Sequence, residues 1–453
     1  MPSARLHAVF QALQHTEDRL TVPFKGLTLH SHFQPIFSFT HGRVVGHEAL
    51  IRARDENGVP TTPLAVFDRC ENAEELYWCD SVSRAMHITS FAQQRPDDQW
   101  LFLNIRPEVI TAMASEEGGE YIASMSRHLP LPTHHIVLEL LESAIPQQQA
   151  FLDALSAFRA HGYLIALDDF GIGHSNFDRV WAIKPDIVKL DRSLVAAMAR
   201  DKGRQRVVTQ MVSLLHECQS LVLMEGIETE EEALLALESD ADFVQGYHFG
   251  RPAPLLQSNA PSLQIRRLHD RLADYRQHEH QSHTALLTPY REALGLAGIM
   301  LSTDSALQDA SAAFLELAHA EVCFVLDEQG FQVGGNVWPA AQAIEPDRIY
   351  GHLSRVADGA CWARRPYFKA AMNSPGKVQV TAPYRTLNGN RLSITVSMAF
   401  RCRDAQGHDA MRVVCGDVVW DDQGHGLGHA RPALQGQDLE PNGASFGTDP
   451  HPR

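Results

Sequence analysis

The sequence predicts an α/β barrel followed by a smaller α+β domain. Between residues 30 and 250, short apolar runs alternate with helix-like intervals, and about eight such runs occur. Eight successive βα units within about 200–250 residues are typical of a closed (β/α)₈ barrel. Beyond residue 300 the pattern changes to strand-like runs joined by turns, which indicates an antiparallel sheet with flanking helices.

Composition favours a cytoplasmic protein of two or three domains. The chain has 453 residues, 44% hydrophobic and 21% charged, and its net charge of -16 disfavours binding to a nucleic-acid polymer. We find no signal peptide and no apolar stretch that approaches a membrane span. The seven cysteines form no CxxC pair, so neither a disulfide framework nor a zinc site is indicated.

The first twenty residues predict an amphipathic helix that precedes the barrel. Leu6, Val9, Phe10, Leu13 and Leu20 recur at roughly helical spacing. We assign residues 1–256 to the barrel together with this helix.

Each apolar run of the barrel ends in polar residues. The runs and their polar residues are LTLHSHFQPIF with Gln34, VVGHEALIR with Glu48 and Arg52, WLFLNI with Asn104, IVLELLES with Glu139 and Glu142, LIALDD with Asp168 and Asp169, DIVKLD with Lys189, LVLMEGIET with Glu225, and FVQGYHF with Gln245. Because the carboxyl ends of barrel strands meet at one mouth, we expect these side chains to converge there.

Five of these residues offer the oxygen ligands that Mg²⁺ or Mn²⁺ prefers, namely Glu48, Asn104, Glu139, Asp168 and Asp169. Adjacent carboxylates suit a site with two metal ions, which can activate water for attack on a phosphodiester. Lys189 and Arg52 supply positive charge for such a substrate, and Glu225 is a candidate base. A single acidic residue after a strand is usually a helix cap or surface group, and Glu142 alone could simply brace a loop.

Seven motifs in order resemble the EAL family of cyclic di-GMP phosphodiesterases across residues 20–256. They are EALIR, LNI, LELLES, DDFGIGHSNF, IVKLDRSLV, MEGIETEEE and QGYHFGRP. The resemblance implies a modified TIM barrel with one antiparallel strand, hydrolysis of cyclic di-GMP to linear pGpG with Mg²⁺ or Mn²⁺, and a homodimer.

The resemblance also implies residue roles. Metal binding falls on Glu48, Asn104, Glu139, Asp168 and Asp169, catalysis on Glu48, Lys189 and Glu225, and substrate binding on Gln34, Leu50, Arg52, Asp191, Gln245 and Arg251. Lys189 is expected to orient the attacking water, and Glu142 to steady the loop after Asp169.

The chain departs from the family at Ile172, His174 and Asn176, where we expect altered loop dynamics, and at Ala53, where the family has tryptophan.

The remainder divides into a helical linker at 257–300, an α+β domain at 301–422 and a disordered tail at 423–453. His278, His280 and His283 fit a solvated helix better than a metal site. Asn388-Gly389 predicts a hairpin turn. RPYFKAAM and GDVVW weakly resemble Cache/PAS-like sensor domains.

Within that domain, Arg365, Tyr367 and Asp417 are candidates for binding a small ligand. The alternatives are a salt bridge between Arg365 and Asp417 with Tyr367 in the core, and a dimerising role for the domain. For the whole chain, three functions remain open: a phosphodiesterase regulated by this domain, a non-catalytic cyclic di-GMP receptor, and a barrel phosphodiesterase with another substrate.

Overall fold

A computed structural model describes residues 4–16, 19–96, 98–115, 120–145, 149–172, 177–258, 260–340, 357–385, 392–403 and 406–420. The chain divides into two compact units, Met1–Gln277 and His278–Arg453. The loop departures His174 and Asn176, the Asn388-Gly389 turn and the tail at 423–453 lie outside the described residues. The domain boundaries inferred from the sequence stay predictions.

The first unit contains eleven strands in the described residues. They are β1 Gln14–His15, β2 Leu20–Phe24, β3 Leu27–Ser38, β4 Arg43–Asp55, β5 Pro60–Thr61, β6 Trp100–Asn104, β7 Ile136–Leu141, β8 Leu164–Phe170, β9 Ile187–Leu190, β10 Leu221–Met224 and β11 Phe243–Val244.

Eight of these strands close into a ring in the order β3-β11-β10-β9-β8-β7-β6-β4, with β4 paired back to β3. Strand β3 is antiparallel to both neighbours. The other pairings in the ring are parallel. The predicted TIM-like barrel with one reversed strand is confirmed.

Helices alternate with these strands. They are α1 Ala4–Gln11, α2 Pro63–Phe67, α3 Ala73–Gln93, α4 Pro107–Ser115, α5 Glu120–His128, α6 Gln149–Ala160, α7 Phe177–Ile183, α8 Arg192–Arg200, α9 Lys202–Glu217, α10 Glu230–Glu238 and α11 Leu263–Ser302. Local sequence sets their starts: Thr229 and Glu232, for example, form a capping box at α10.

The N-terminal helix is shorter than its apolar pattern predicts. It ends at Gln11, and Leu20 opens strand β2 instead. Both elements bury apolar side chains, Val9 and Leu20, in one cluster. Apolar spacing alone therefore did not distinguish a continued helix from a helix followed by a strand.

The second unit is built on an antiparallel sheet. Its strands are β12 Ala320–Leu326, β13 Gln379–Val380, β14 Tyr384–Arg385, β15 Leu392–Arg403 and β16 Asp409–Trp420, in the order β12-β16-β15-β13, with β14 also paired to β15. Its helices are α12 Leu307–Ala310, α13 Ala312–Leu315 and α14 Pro366–Asn373. Leu287 and Leu294 of α11 belong to one apolar cluster of this sheet, and Tyr367 and Phe368 of α14 to another.

No helix in the described part of the chain is long and apolar enough to cross a membrane.

Candidate active site

The polar site is one layer of the barrel interior, directly above an apolar layer. The apolar layer consists of Ile36, Phe102, Val137, Ala166, Ile187, Leu223 and Phe243. Inward-facing residues of a strand recur every second position. Moving two positions along each strand, backwards on the reversed strand β3, gives Gln34, Asn104, Glu139, Asp168, Lys189, Glu225 and Gln245. The fold therefore brings these predicted side chains together.

Glu48 lies in the middle of β4 rather than at its end. Strand β4 continues to Asp55 because it pairs there with β3 and β5, so the expected strand-end position was wrong for this residue. Gln245 Nε2 donates to Glu48 Oε2 at 2.7 Å, and Asn104 Nδ2 donates to Glu48 Oε1 at 3.1 Å. Gln245 Nε2 also lies 3.2 Å from Gln34 Oε1. These amides fix the orientation of the Glu48 carboxylate.

Lys189 is the buried cation of the site, with a side chain only 1% exposed. Its Nζ lies 2.6 Å from Glu139 Oε1, 2.6 Å from Glu225 Oε1 and 3.1 Å from Asp168 Oδ1. Burial alone would lower the pKa of Lys189, but the charges of Asp168, Glu139 and Glu225 raise it well above its ordinary value. Lys189 therefore stays protonated and serves as a donor.

Asp168 and Asp169 reach the same side of the sheet although neighbouring strand residues normally face opposite sides. Asp169 has φ 58°, and the pairing of β8 with β9 shifts register between Leu167 and Phe170. An aspartate tolerates this left-handed conformation better than most residues. As a result, carboxylate oxygens of Asp168, Asp169 and Glu225 lie within 4.8 Å of one another.

Negative charge exceeds positive charge in this cluster. Burial raises the pKa of Glu139 well above its ordinary value, and burial raises that of Glu225 to about 8. Burial and the neighbouring Asp168 raise the pKa of Asp169. Glu139 Oε2 is buried and has no hydrogen-bond partner among the described residues. Divalent cations would bind that oxygen and offset the repulsion between the clustered carboxylates. A set of oxygen donors fits Mg²⁺ or Mn²⁺.

An open cleft of about 230 Å³ borders the site. It is lined by Gln34, Glu48, Arg192, Glu225, Gly226, Glu228, Gln245, Gly246 and Tyr247. Arg192 forms an ion pair with Glu228 at 2.7 Å, and the Arg251 guanidinium lies 4.2 Å from the centre of the Tyr247 ring. Sequence reasoning missed Arg192, Glu228 and Tyr247, although each directly follows or lies within a motif that was recognised.

Three other predicted barrel residues, Leu50, Arg52 and Asp191, are not among those that line the cleft. Leu50 and Arg52 are on β4, on the same face as Glu48. Asp191 accepts a hydrogen bond from the Ser193 amide at 2.8 Å and caps α8, and its charge contributes to the raised pKa of Asp169. Asp191 therefore has a structural role that the sequence motif did not reveal.

Glu142 is buried and contacts the helix that follows strand β8. Arg179, on that helix, donates to the Glu142 carbonyl oxygen at 2.7 Å and lies 3.3 Å from its Oε1. This pair joins the segment after β7 to the start of α7. Ile172, one of the residues that depart from the family pattern, is 53% exposed.

In the second unit, Tyr367 and Asp417 are buried in the sheet region. Thr395 Oγ1 donates to Asp417 Oδ1 at 2.7 Å and is 2.5 Å from the Tyr384 hydroxyl. Burial raises the pKa of Asp417 to about 7. The Arg365 guanidinium lies 5.9 Å from the centre of the Tyr384 ring, and no salt bridge to Asp417 is found among the described residues.

Fold and site together define an α/β barrel with a carboxylate cluster at its mouth. Residues 17–252, more than half of the chain, match the model of the EAL domain. The chain belongs to the EAL domain family.

Named relatives are consistent with this membership. Cyclic di-GMP phosphodiesterase RocR of Pseudomonas aeruginosa is 27% identical over 228 residues, which are 49% of this chain and 57% of RocR. Probable cyclic di-GMP phosphodiesterase PdeN of Escherichia coli is 34% identical over 231 residues, 49% of this chain and 43% of PdeN. The chain spans 31 to 57% of the length of the first curated relatives it matches.

One solved structure extends the likeness beyond the barrel. The Bacillus subtilis YkuI protein, with an EAL domain and in complex with c-di-GMP and calcium, matches with a TM-score of 0.71. The match covers 87% of this chain and 96% of that chain at 18% sequence identity. The two chains therefore share a fold over most of their length.

Proposed function

We propose that this chain hydrolyses cyclic di-GMP to linear pGpG with the aid of Mg²⁺ or Mn²⁺. The observation that carries the proposal is the convergence of Glu48, Glu139, Asp168 and Asp169 around the buried Lys189. The choice of cyclic di-GMP as the substrate rests on the relatives that are named as cyclic di-GMP phosphodiesterases.

Five residues would hold the metal ions: Glu48, Asn104, Glu139, Asp168 and Asp169. When bound, the ions would lower the pKa of water and offset the charge of the scissile phosphate. Lys189, held by three carboxylates, donates a hydrogen bond that orients the attacking water. Glu225 contacts Lys189 at 2.6 Å, so it positions this donor and is placed to accept a proton. Gln34, Leu50, Arg52, Asp191, Gln245 and Arg251 are the proposed substrate-binding residues.

The test is direct. The purified chain is incubated with cyclic di-GMP and Mg²⁺ or Mn²⁺, and pGpG is measured by chromatography, with a chelator and the Glu48→Gln variant as controls. Formation of pGpG that stops in both controls is expected. Binding of cyclic di-GMP without product would favour a receptor, and turnover of other cyclic dinucleotides alone would favour a different substrate.

We further propose that residues 301–422 form a Cache/PAS-like sensor or dimerisation domain. Support comes from the hydrogen-bonded chain Tyr384–Thr395–Asp417 in the sheet of the second unit, with Arg365 beside the Tyr384 ring. A ligand amine is the expected partner of Asp417. A thermal-shift screen of amines on the full chain tests this, with Asp417→Asn as the control that abolishes any shift.

We propose that the chain acts as a cytoplasmic homodimer. Trp181 and Ile172 are 59% and 53% exposed and flank the segment after Asp169, which suits an apolar contact between two copies. Buried free thiols such as Cys79 and Cys415 suit a reducing compartment. Light scattering of the wild type and of Trp181→Glu checks the dimer, which the variant is expected to dissociate.

A further inference from the structure

Strands β3 and β4 continue past the pair Gln34–Glu48 and carry basic side chains, of which the proposed hydrolysis uses only Arg52. The register pairs Gln34 with Glu48, His32 with Leu50, His30 with Arg52 and Thr28 with Arg54. Residues directly opposite each other, and those two positions along, share one face of a sheet. Arg19 directly precedes strand β2, whose Thr21 pairs with His30. We name Arg19, His30, His32, Arg52 and Arg54 the arginine ledge.

The ledge faces the same side as the carboxylate site. The opposite face of the hairpin is occupied, because Leu29, Ile51 and Ala53 are buried in one cluster with Val82 and Met86 of α3. Arg19 and Arg54 are exposed, and Arg52 and His32 are partly exposed. The ledge is therefore the accessible face of the hairpin.

The arginines of the ledge have no carboxylate partner in the described part of the chain. Arg52 Nη1 donates to the Ile51 carbonyl oxygen at 2.9 Å, and Arg54 Nη1 to the Gly58 carbonyl oxygen at 3.3 Å. By contrast, Arg192 at the cleft is paired with Glu228. In a chain of net charge -16, three arginines that lack a carboxylate partner among the described residues indicate an anionic or electron-rich ligand.

The environment of His30 places the ledge residues close together. Burial lowers the pKa of His30 to about 4, and Arg19, His32 and Arg54 lower it further in that order. The rings of His30 and His32 are 5.4 Å apart. His30 is thus a neutral imidazole beneath arginines that come from the β2 and β4 sides of the sheet.

Spacing along β4 matches a ligand longer than one phosphodiester. With a rise of about 3.4 Å per residue, Arg52 and Arg54 lie roughly 14 and 20 Å from Glu48 along the strand. A cyclic dinucleotide carries two guanylate halves, and only one phosphodiester can lie at the carboxylates. The other half must extend along the cleft walls.

We propose that the arginine ledge binds the guanylate half of cyclic di-GMP that is not cleaved, with Arg54 and Arg19 donating to guanine O6 and N7. An arginine is the usual partner of these two acceptors, because its planar fork reaches both. His30 and His32 support the arginines from below. This inference rests on the proposed function, and it adds Arg19, His30, His32 and Arg54 to the substrate residues.

The test is steady-state hydrolysis of cyclic di-GMP and cyclic di-AMP by the full chain. Arg54→Ala is expected to raise KM for cyclic di-GMP about tenfold, with kcat within about twofold, and to reduce the preference for guanine. Arg54→Lys keeps the charge but loses the fork, so it is expected to lose the guanine preference as well. The matched control is Arg43→Ala, which removes an arginine from the other end of β4 and should change neither value.

Unchanged KM and base preference in both Arg54→Ala and Arg19→Ala would overturn the ledge proposal. If the wild type releases no pGpG, hydrolysis fails as the function, and the same variants are compared for cyclic di-GMP affinity by calorimetry. A tenfold affinity loss in Arg54→Ala but not in Arg43→Ala would then support the ledge independently of hydrolysis, and equal affinities would refute it.

Discussion

Lys189 Nζ and Glu139 Oε1 lie 2.6 Å apart in an ion pair whose two side chains are 1% and 0% exposed. Glu225 and Asp168 share the same ammonium group. One lysine thus faces several carboxylates, and a buried charge without a partner is costly. This excess of negative charge underlies the prediction for Lys189 below.

Replacing Glu48 with alanine is expected to lower the rate of pGpG formation by at least about 100-fold, because the variant loses one oxygen ligand and the partner of Gln245 and Asn104. The fold should persist, since Glu48 contacts polar side chains and does not belong to the apolar layer of the barrel. Product chromatography and circular dichroism check both points. Glu74→Ala, which removes an exposed carboxylate of α3, is the control; wild-type turnover by Glu48→Ala would make the assigned metal site wrong.

Replacing Lys189 with methionine is expected to destabilise the metal-free chain by about 3–5 kcal/mol, because Glu139, Asp168 and Glu225 lose their shared cation. Added Mg²⁺ should restore part of the lost stability by supplying positive charge. Thermal unfolding with and without Mg²⁺ measures both effects. Lys369→Met, at an exposed position, should behave like the wild type. A Lys189→Met chain as stable as the wild type without metal would contradict the prediction.

Gly246→Ala is expected to unfold or distort the site. A Cβ atom there would lie 2.0 Å from the Ile227 carbonyl oxygen, and backbone atoms cannot move aside as a flexible side chain can. The neighbouring Gln245, which holds Glu48, would shift with it, so activity should fall together with stability by more than about 3 kcal/mol. Gly335→Ala, which meets no atom within 4 Å, is the control and should stay within about 0.5 kcal/mol of the wild type.

The second unit should lose stability as pH rises toward neutrality. Burial raises the folded-state pKa of Asp417 to about 7 from 3.8, while Thr395 and Arg365 oppose the rise and Glu321 adds to it. Between these two pKa values the folded state keeps a proton that the unfolded state releases. The contribution of Asp417 to stability is therefore fully present below about pH 4, falls as pH rises, and is lost once pH passes about 7. Denaturant unfolding at pH 5 and pH 8 measures this. Asp417→Asn should flatten the dependence; an unaltered slope would disprove the role of Asp417.

The sequence predicted the barrel and most of its polar layer for a simple physical reason. Inward-facing positions alternate along each strand, so an apolar residue such as Phe102 or Val137 followed two positions later by Asn104 or Glu139 marks both the strand and its open end. The antiparallel β3 came from the family resemblance, and the structure confirms it.

Other features depend on contacts that distant parts of the chain create. The left-handed Asp169 and the register shift of β8 have no local signal beyond the following glycine. The middle position of Glu48 follows from pairing with β5, and the ion pair of Arg192 with Glu228 joins two separate loops. The predicted extent of the N-terminal helix was wrong because a leucine such as Leu20 can be buried from a strand as well as from a helix.

The ring closes where β11 meets β3, through Phe243 beside Ser38 and Val244 beside Phe37. Some two hundred residues separate the two sides of this seam, so its formation requires a large, slow loop closure. During synthesis the ribosome must release residue 245 before Gln245 can reach Gln34 and Glu48. A nascent chain that ends before residue 245 lacks one of the two amides that hold Glu48, so the polar layer is complete only when the whole barrel has been translated.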